Sequence, residues 1–594
     1  MTSTVPKILI VGGGYAGFYT AWKLEKLLGR NEAEVTLVDP LPYMTYQPFL
    51  PEVAAGEIEP RHVVVGLRRH LKRTTVIAGK VTGIEHATKT ATITPIAGDE
   101  TWTQEYDQIV VTAGAVSRTF PIPGIAENAI GLKTIEEAVA IRDRLTSNFD
   151  KASVLPAGPE RDRLLTVVVV GGGFAGIEVF AELRAYASSL LKQYPTLTFD
   201  DTHFHLIEAM GRIMPEVSLK TSEWVLADLA KKGAFVHLDT QVKGAVDGVV
   251  ELSTGEQLPT DLIIWTAGVM ANPTVVRGSD LPVEERGRIR TRPDLRVGTD
   301  EEFVEGAWAA GDVSAVPDLS GGGVGGFCVP NAQHAVRQGK LMAKNIVAVL
   351  RGEEPKQYFH KNLGAVAGLG LYNGAFQSGK IALTGLLAWF AHRGYHGLAM
   401  PTWERKFRVV GDWVQNFFHG REVVSLEAVQ TPRATFEEFA ARPSRLPPTR
   451  SPRPSRPSDL GRSPRTVCAG ASSFPDAVIR RATVERGIRP RSPMAEAGDL
   501  KSLQVWVRIP PGVRVRCAAS ARPVAFHAYR LGVARRPLAG GVVAVRIVRQ
   551  SSNGEPEHVG VARPRHRDRR NPGDRGDLSV GDVQRPRLSQ CPGR

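Results

Sequence analysis

Cysteine is scarce in this sequence: four occur among 594 residues, and only Cys328 precedes residue 441. This scarcity excludes a disulfide scaffold, a cysteine-rich metal site and an iron–sulfur centre from the first 440 residues, and we expect no metal site. It also excludes a redox-active cysteine pair there. We expect Cys328 to be a buried packing residue rather than a nucleophile.

Long apolar runs are also lacking. A membrane-spanning helix needs about 20 predominantly apolar residues, and the most apolar stretch, Ile381–Ala391, is too short. The first residues, Met1 to Pro6, show no basic segment followed by an apolar one, so we expect no signal peptide. The sequence therefore predicts a cytoplasmic protein that lies, at most, on a membrane surface.

The net charge of +14 is not spread along the chain. Residues 441–594 hold 31 basic and 11 acidic residues, whereas residues 1–440 hold 44 basic and 50 acidic ones. Of the 31 basic residues, 30 are arginines, a bias that nucleic-acid binding does not require. We interpret this tail as an out-of-frame translation product; a disordered basic extension on an anionic membrane and a nucleic-acid tail are the alternatives. We expect no nucleic-acid partner.

A long-period repeat organises the first part of the chain. Ile8–Gly17 reads ILIVGGGYAG, and Val167–Gly176 reads VVVVGGGFAG. A second pair follows, QIVVTAGA at Gln108–Ala115 and LIIWTAGV at Leu262–Val269. Each unit starts with a β-branched run typical of a buried parallel strand and continues with apolar residues at helical spacing. The repeat predicts two doubly wound dinucleotide-binding domains.

The first glycine turn, Gly12-x-Gly14-x-x-Gly17, lies between the first strand and the first helix. Gly12 permits the tight turn, Gly14 lets the backbone approach a pyrophosphate, and Gly17 lets helix and strand pack closely. Asp39 ends the next strand, 22 residues after Gly17, where a carboxylate can accept ribose hydroxyls. A glycine-rich turn without a ligand is the alternative.

The second glycine turn, Gly171-x-Gly173-x-x-Gly176, repeats this pattern, with Glu208 at the end of its second strand. A carboxylate there repels a 2′-phosphate, which favours NADH over NADPH. Arg212, close in sequence, leaves NADPH as the alternative. The Thr-Ala-Gly elements add three residues to the two nucleotide sites: Thr112, Gly114 and Gly268.

Two nucleotide sites in one chain imply electron transfer between a resident flavin and a transient nicotinamide. A later strand ends in Gly311-Asp312, and an acid at such a position can bind the ribityl chain of FAD and place a helix N-terminus near the flavin ring. A plain helix N-cap is the alternative for Asp312. Because Asp312 follows the second repeat, the second domain interrupts the first, so FAD is expected at the first glycine turn and NADH at the second.

The predicted fold is therefore α/β: two Rossmann-like dinucleotide-binding domains, the NADH-binding domain inserted in the FAD-binding domain, then C-terminal amphipathic helices and a disordered tail. The predicted segments are residues 1–150 and 286–360 for the FAD-binding domain, 151–285 for the NADH-binding domain, 361–430 for a membrane-associating region, and 431–594 for the Arg/Pro-rich tail.

The membrane-associating region is predicted from helical spacing. Five apolar residues fall on one face of a helix that Thr402 can cap: Trp403, Phe407, Val410, Val414 and Phe417. The preceding segment, Leu386–Phe390, is apolar and is flanked by His392 and Arg393. This pattern favours helices lying in a membrane interface; packing on the protein's own domain or in a dimer interface is the alternative.

The order GGGYAG, Asp39, TAGA, GGGFAGIE, Glu208, TAGV and AAGD resembles the two-dinucleotide-domain flavoprotein reductases, and within them the type II NADH dehydrogenases (NADH:quinone oxidoreductases). Two segments carry the closer resemblance: YMTYQPFLPEVAAG at Tyr43–Gly56 and PNAQHAVRQG at Pro330–Gly339. The resemblance covers about residues 5–430.

This resemblance implies that Pro48 and the pair Ala332-Gln333 lie beside the flavin, with Gln333 also near the quinone. It implies that Glu178 lies near the nicotinamide as a catalytic residue together with Gln333. From the residues alone, Glu178 could instead complement the dipole of its helix, and Gln333 could cap a helix. The family often carries a second glutamine four residues after the first, where this sequence has Arg337.

The resemblance implies electron transfer from NADH through FAD to a membrane quinone, without proton pumping, by a peripheral protein on the cytoplasmic face of the cell membrane. The missing cysteines agree, because the acceptor must take electrons directly from the flavin. Two other classes stay open: a soluble NAD(P)H-dependent reductase of a protein carrier such as a ferredoxin, and a non-catalytic redox-sensing flavoprotein. A homodimer is an open option.

Overall fold

The computed structural model describes residues 5–426 apart from 300, 322, 362 and 363, four positions between 431 and 437, and four strand segments beyond residue 505. The chain divides into two units, Met1–Ser451 and Pro452–Arg594. The disorder and the frameshift predicted for residues 431–594 concern positions that lie almost entirely outside the described residues.

The described strands of the first unit are, in chain order, β1 Lys7–Val11, β2 Glu34–Asp39, β3 Tyr43–Thr45, β4 Val64–Gly66, β5 Thr75–Glu85, β6 Thr90–Pro95, β7 Trp102–Glu105, β8 Gln108–Val111, β9 Ala115–Ser117, β10 Ala129–Gly131, β11 Thr166–Val170, β12 His203–Ile207, β13 Phe235–His237, β14 Val242–Val246, β15 Val249–Leu252, β16 Gln257–Pro259, β17 Leu262–Trp265, β18 Val269–Ala271, β19 Ile289–Arg290, β20 Arg296–Gly298, β21 Phe303–Ala309, β22 Ser314–Ala315, β23 Ala365–Gly368, β24 Gly374–Ser378 and β25 Ile381–Thr384.

The α-helices described between residues 5 and 426 are, in chain order, α1 Tyr15–Leu27, α2 Leu50–Ala54, α3 Leu67–His70, α4 Ile125–Asn128, α5 Ile135–Ser153, α6 Pro159–Leu165, α7 Phe174–Leu190, α8 Leu219–Lys231, α9 Pro273–Arg277, α10 Ala332–Leu350, α11 Leu386–Ala399 and α12 Trp403–His419.

The first sheet has the order β20-β21-β8-β1-β2-β5-β6-β7. Its central strands β21, β8, β1, β2 and β5 pair in parallel. Ile8 and Ile10 of β1 pack into the core shared with α1 and α10, while Leu9 and Val11 pack into a second cluster with Val81. Both faces of β1 are thus buried, which explains its uninterrupted apolar sequence.

The second sheet repeats this arrangement with the order β10-β17-β11-β12-β13, and all its pairings are parallel. Val167 and Val169 of β11 face the core shared with α7, and Val168 and Val170 face a cluster with the antiparallel sheet β14-β15-β16. The α/β fold with two doubly wound sheets is confirmed.

The chain passes from the first domain to the second, and later back again, at positions earlier than the predicted boundaries at residues 150 and 285. The edge strand β10 already belongs to the second sheet, and α5 runs across residue 150. On the return, β18 pairs antiparallel with β9, and Val275 already packs in the first domain's core. The sequence did not reveal β10 because a three-residue edge strand carries no periodic signal.

The C-terminal region is an antiparallel sheet, β23-β24-β25, followed by α11 and α12. Thr402 caps α12, as predicted, through its hydroxyl, which accepts a hydrogen bond from the Arg405 amide. The predicted apolar stripe of α12 faces solvent, with Trp403 71 % and Phe407 72 % exposed. Leu387 and Leu398 of α11 are also exposed, at 66 % and 74 %.

His392 and Arg393 differ from the sequence prediction that they flank an interfacial helix. Both side chains are buried, because α11 turns them inward against α2 and α7. Among the described helices, none combines the length and the apolar character that a membrane crossing requires.

Charged side chains from several segments meet in a buried ion cluster. Its members come from α2, the turn after α2, α7, α11 and the segment after α12: Glu52, Glu57, Glu182, Arg393 and Arg421. Arg421 contacts Glu57 at 2.9 Å and Glu182 at 2.7 Å, and Arg393 also pairs with Glu57. Breaking such a pair leaves a charge without compensation in a medium of low polarity.

The four strands described in the second unit are β26 Trp506–Arg508, β27 Arg530–Gly532, β28 Arg546–Gln550 and β29 Pro556–Val561. They pair in sequence order as one antiparallel sheet.

Arg421→Met is expected to lower the free energy of unfolding by about 3 kcal/mol, since it leaves Glu57 and Glu182 buried without this cation. The matched control is Arg408→Met, whose i,i+4 pair with Glu404 is exposed and contributes about 0.5 kcal/mol or less. Urea unfolding measures both. Equal losses for the two variants would contradict a structural role of the cluster.

Candidate active site

The first glycine turn has the backbone geometry that its sequence predicts. Gly12 has a φ of 98°, and its amide donates to the Val38 carbonyl oxygen over 2.9 Å. A Cβ on Gly17 would lie 1.8 Å from the Gly12 carbonyl oxygen. The Thr112 hydroxyl lies 2.9 Å from that same oxygen and donates to it. The start of α1 therefore sits against β1 and β8 at a distance that only glycine allows.

The second glycine turn has the same construction. Gly171 has a φ of 112°, and its amide donates to the Ile207 carbonyl oxygen over 2.8 Å. A Cβ on Gly176 would lie 1.8 Å from the Gly171 carbonyl oxygen. Thr266 corresponds to Thr112: its hydroxyl donates to the Val170 carbonyl oxygen over 2.8 Å. The sequence prediction named Thr112 but missed Thr266, although the repeated Thr-Ala-Gly signals both.

Each turn has its predicted carboxylate beside it. The Gly13 amide donates to Asp39 Oδ2 over 2.6 Å, and the Gly172 amide donates to Glu208 Oε2 over 2.5 Å. Burial raises the pKa of Asp39, while the Gly13 amide opposes this shift. Both acids thus lie at the ends of β2 and β12, where the ribose of a bound dinucleotide is expected.

The middle glycines leave room for a ligand. A Cβ added at Gly14 or Gly173 would meet no atom within 4 Å, and the same holds at Gly114 and Gly268. At each site, an open backbone at a helix N-terminus, next to a carboxylate, fits the pyrophosphate and ribose of a dinucleotide. The residues present therefore fit FAD at the first turn and NADH at the second.

Asp312 lies at the end of β21, in a short 3₁₀ turn, Gly311–Val313. Burial raises its pKa, and Lys133, whose Nζ lies 3.9 Å from Asp312 Oδ2, opposes that shift. The alternative of a plain helix N-cap at Asp312 was wrong, because the next α-helix, α10, begins only at Ala332. The turn is instead held by Gln338, whose Oε1 accepts a hydrogen bond from the Gly311 amide over 2.9 Å.

A large cavity, of about 1240 Å³, is lined by residues of α1, α7, α10 and α11. We call it the acceptor cavity. The predicted site residues Pro48, Ala332, Gln333 and Glu178 all line it. Its wall also contains residues that the sequence prediction did not name, among them Tyr15, Tyr46, Gln47, Lys133, Tyr395 and His396.

Gln333 does not cap a helix, which was the alternative role for this residue. Asn331 caps α10, with its Oδ1 accepting from the His334 amide over 2.9 Å. The Gln333 side chain contacts His360, with 3.1 Å between Oε1 and Nε2. Arg337 folds back and donates to the Gln333 carbonyl oxygen over 2.9 Å. Arg337, in the place of the family's second glutamine, thus reaches the same cavity wall.

Glu178 is the fifth residue of α7, so it lies beyond the first turn, where a carboxylate would complement the helix dipole best. Its Oε1 accepts a hydrogen bond from the Gly368 amide over 3.0 Å and lies 3.3 Å from His392 Nε2. The sequence prediction missed His392 as a partner, because the two residues are far apart in the chain and no local pattern links them.

Cys328 is buried, as predicted, and 7 % exposed. Burial is the main cause that raises its thiol pKa to about 12, and Asp318 adds to the shift. A cysteine that stays protonated as a thiol is a poor nucleophile, because the thiolate is the reactive form.

Two glycine variants separate folding from ligand binding at the second turn. Gly176→Ala is expected to destabilise the protein by roughly 1–3 kcal/mol, because its Cβ meets backbone. Gly173→Ala is expected to keep the melting temperature and the bound flavin but to raise the KM for NADH, because its methyl group occupies the ligand side of the turn. Thermal unfolding, flavin absorbance and NADH titration distinguish them. Unchanged NADH affinity in Gly173→Ala would place NADH elsewhere.

The comparisons with known proteins agree with this geometry. Residues 6–339 match the model of the pyridine nucleotide-disulphide oxidoreductase family. A type II NADH:quinone oxidoreductase of Staphylococcus aureus is 30 % identical over 385 residues, which is 62 % of this chain and 88 % of the relative. A second, from Mycobacterium tuberculosis, is 29 % identical over 428 residues, which is 69 % of this chain and 87 % of the relative.

Among solved structures, NDH2 from Plasmodium falciparum in complex with NADH has a TM-score of 0.65 and 18 % identity. The alignment covers 71 % of this chain and 100 % of that one, and it shows a common fold. The family match spans both glycine turns, Asp312 and the start of α10. The chain therefore belongs to the pyridine nucleotide-disulphide oxidoreductase family and, within it, to the type II NADH:quinone oxidoreductases.

Proposed function

We propose that the protein transfers electrons from NADH through bound FAD to a membrane quinone without moving protons across the membrane. The observation that carries this proposal is the acceptor cavity, which brings Pro48, Gln333 and Glu178 into one space beside α11. Its walls combine aromatic and aliphatic side chains, which suit an apolar ring compound, with polar and charged side chains that include five lysines.

NADH is the expected donor rather than NADPH. Glu208 lies at the ribose end of the second turn, where a 2′-phosphate would meet a buried carboxylate. Arg212 does not compensate, because its guanidinium donates to the Val217 carbonyl oxygen over 2.7 Å.

Bound FAD would supply the reversible two-electron chemistry, and the chain would hold and orient the reactants. The amides of the first glycine turn and Asp39 would fix the adenosine half of FAD, and Asp312 would bind its ribityl chain. Among the described residues, the hydrogen bonds of the Gln333 side chain involve only Oε1. Its Nε2 would therefore donate to a quinone carbonyl oxygen, and Glu178 would face the nicotinamide.

The acceptor is expected to take electrons directly from the flavin and not through a redox-active disulfide, since Cys328 has no cysteine partner among the described residues. The quinone is expected to arrive from the membrane, because α11, whose Tyr395 and Leu398 line the cavity, also exposes Leu387 and Leu398 to solvent. This supports a peripheral position on the membrane, and the cytoplasmic face stays a prediction. A homodimer stays a prediction.

Gln333→Ala is expected to raise the quinone KM about fivefold, the effect of losing one hydrogen bond of about 1 kcal/mol. Glu178→Gln is expected to lower turnover with quinone. Steady-state NADH oxidation with a short-chain quinone measures both, and surface Gln193→Ala is the matched control. Unchanged kcat and quinone KM in both variants would overturn the assignment, and faster reduction of a ferredoxin than of any quinone would favour the protein-carrier class.

Removing apolar surface from α12 tests the membrane position. The double variant Phe407→Glu/Phe417→Glu replaces two side chains that are 72 % and 68 % exposed. Because burying each phenyl group contributes about 1.5–3 kcal/mol, vesicle binding is expected to weaken at least about 10-fold. Val154→Glu, at an 82 % exposed site outside these helices, is the control. Equal flotation of the two variants with vesicles would contradict the membrane position.

A further inference from the structure

Behind Glu178, three titratable side chains form a line from the acceptor cavity into the protein. Glu178 Oε1 lies 3.3 Å from His392 Nε2, and His392 Nδ1 lies 3.7 Å from Glu52 Oε1. Glu52 Oε2 accepts a hydrogen bond from Trp413 Nε1 over 3.2 Å. The side chain of Glu178 is 13 % exposed, against 3 % for His392 and 4 % for Glu52. Glu178 is thus the member that connects the line to the cavity.

This line shares Glu52 with the buried ion cluster, and the charges of the combined group do not cancel. The group contains four carboxylates, two guanidiniums and one imidazole: Glu52, Glu57, Glu178, Glu182, Arg393, Arg421 and His392. With the imidazole neutral and every carboxylate ionised, two negative charges would remain without compensation. Burial therefore favours an additional proton within the group.

Along the line from the cavity, Glu52 and His392 are the groups whose pKa shifts favour holding this proton. Burial raises the pKa of Glu52 to about 7, with Arg393 as the main opposing influence. Burial lowers the pKa of His392, but the neighbouring Glu178 carboxylate outweighs it, so the net shift is upward. Both shifts favour the protonated form, and the shift of Glu52 places its proton exchange near pH 7.

The groups that face His392 come from several elements: Glu178 from α7, Glu52 from α2, Arg393 and His396 from α11, and the Gly368 backbone from β23. His396 does not compete for the proton, because burial and the neighbouring His392 hold its pKa well below the usual range. Arg393 pairs with Glu57, and its charge lowers the proton affinity of both Glu52 and His392.

The reaction needs one such proton in each turnover. The hydride of NADH carries two electrons and one proton, whereas reduction of a quinone to a quinol takes two electrons and two protons. We propose that Glu52 and His392 form an internal proton store that delivers the second proton through Glu178 to the quinone oxygen. This proposal rests on the proposed function of the acceptor cavity.

The N–H bond of His392 Nε2 breaks as an O–H bond forms on Glu178, and that O–H bond breaks as the proton joins the quinone oxygen. Glu52 then returns a proton to His392. Once the quinol has left, water in the cavity reloads the store through Glu178, since the other end of the line closes on Trp413. His392 and Glu52 are positioning residues in this scheme, because they act through Glu178.

Comparison of two electron acceptors tests the proposal. Ferricyanide takes single electrons and no protons, so it reports hydride uptake from NADH without the proton step. In the holoenzyme, His392→Gln and Glu52→Gln are expected to lower kcat with a short-chain quinone at pH 7.5 by about 10-fold or more, the range of general acid catalysis. NADH:ferricyanide turnover is expected to change less than about twofold.

The pH dependence of quinone turnover gives an independent test of the proton store. With an unaltered store, quinone turnover is expected to fall as the pH rises through about 7, where Glu52 loses its proton, and this limb is expected to be absent with ferricyanide. Infrared titration of the oxidised holoenzyme is expected to show a protonated-carboxyl band with a midpoint near 7 that is missing in Glu52→Gln. Gln keeps the size of Glu and an oxygen for Trp413, so this variant is expected to fold if His392→Gln does not.

His62→Gln is the matched control, because His62 also contacts a carboxylate, Asp412 at 2.6 Å, but does not line the acceptor cavity. Unchanged quinone kcat and an unchanged pH limb in both store variants would overturn the proton store. So would an equal fall with both acceptors, which indicates damage to the hydride step or to folding. A wild-type enzyme that reduces ferricyanide but no quinone would overturn the proposed function, and the store with it.

Discussion

Oppositely charged side chains, buried where four parts of the chain meet, tie the functional regions of this protein together. Arg421, just after α12, joins Glu57 of the first domain to Glu182 of the second over 2.9 and 2.7 Å, and Arg393 adds α11 to the same cluster. Buried charges keep their place only while every partner is present. The acceptor cavity depends on this constraint, because α2, α7 and α11 all contribute to its walls.

The same buried charges connect structure to chemistry. An all-apolar core at this place would hold the helices as well, and could do so with greater stability. A cluster with more carboxylates than permanent cations can also bind a proton, and His392 and Glu52 lie where that proton reaches Glu178. The arrangement therefore links the attachment of the C-terminal helices to the protonation of the acceptor site.

The nucleotide-binding half of the protein could be predicted almost completely from sequence. Each glycine turn is a local structure in which Gly12 or Gly171 adopts a positive φ, and in which the carbonyl oxygen of that residue leaves no room for a Cβ on Gly17 or Gly176. Such requirements act over a few residues and leave a visible pattern. The domain boundaries were harder to predict from sequence, because β10 is too short to produce a periodic signal and joins its sheet only through long-range pairing.

The sequence by itself determined two dinucleotide-binding domains, the order in which the chain visits them, and the amphipathic α12, since glycine spacing and apolar periodicity are local properties. Tertiary structure alone decided which side chains meet in the acceptor cavity. His392 was expected to flank an interfacial helix, yet it lies 3.3 Å from Glu178, and Gln338, not Arg337, holds the Gly311 turn. Pairings of this kind join residues far apart in the chain, so their geometry arises only when the helices pack.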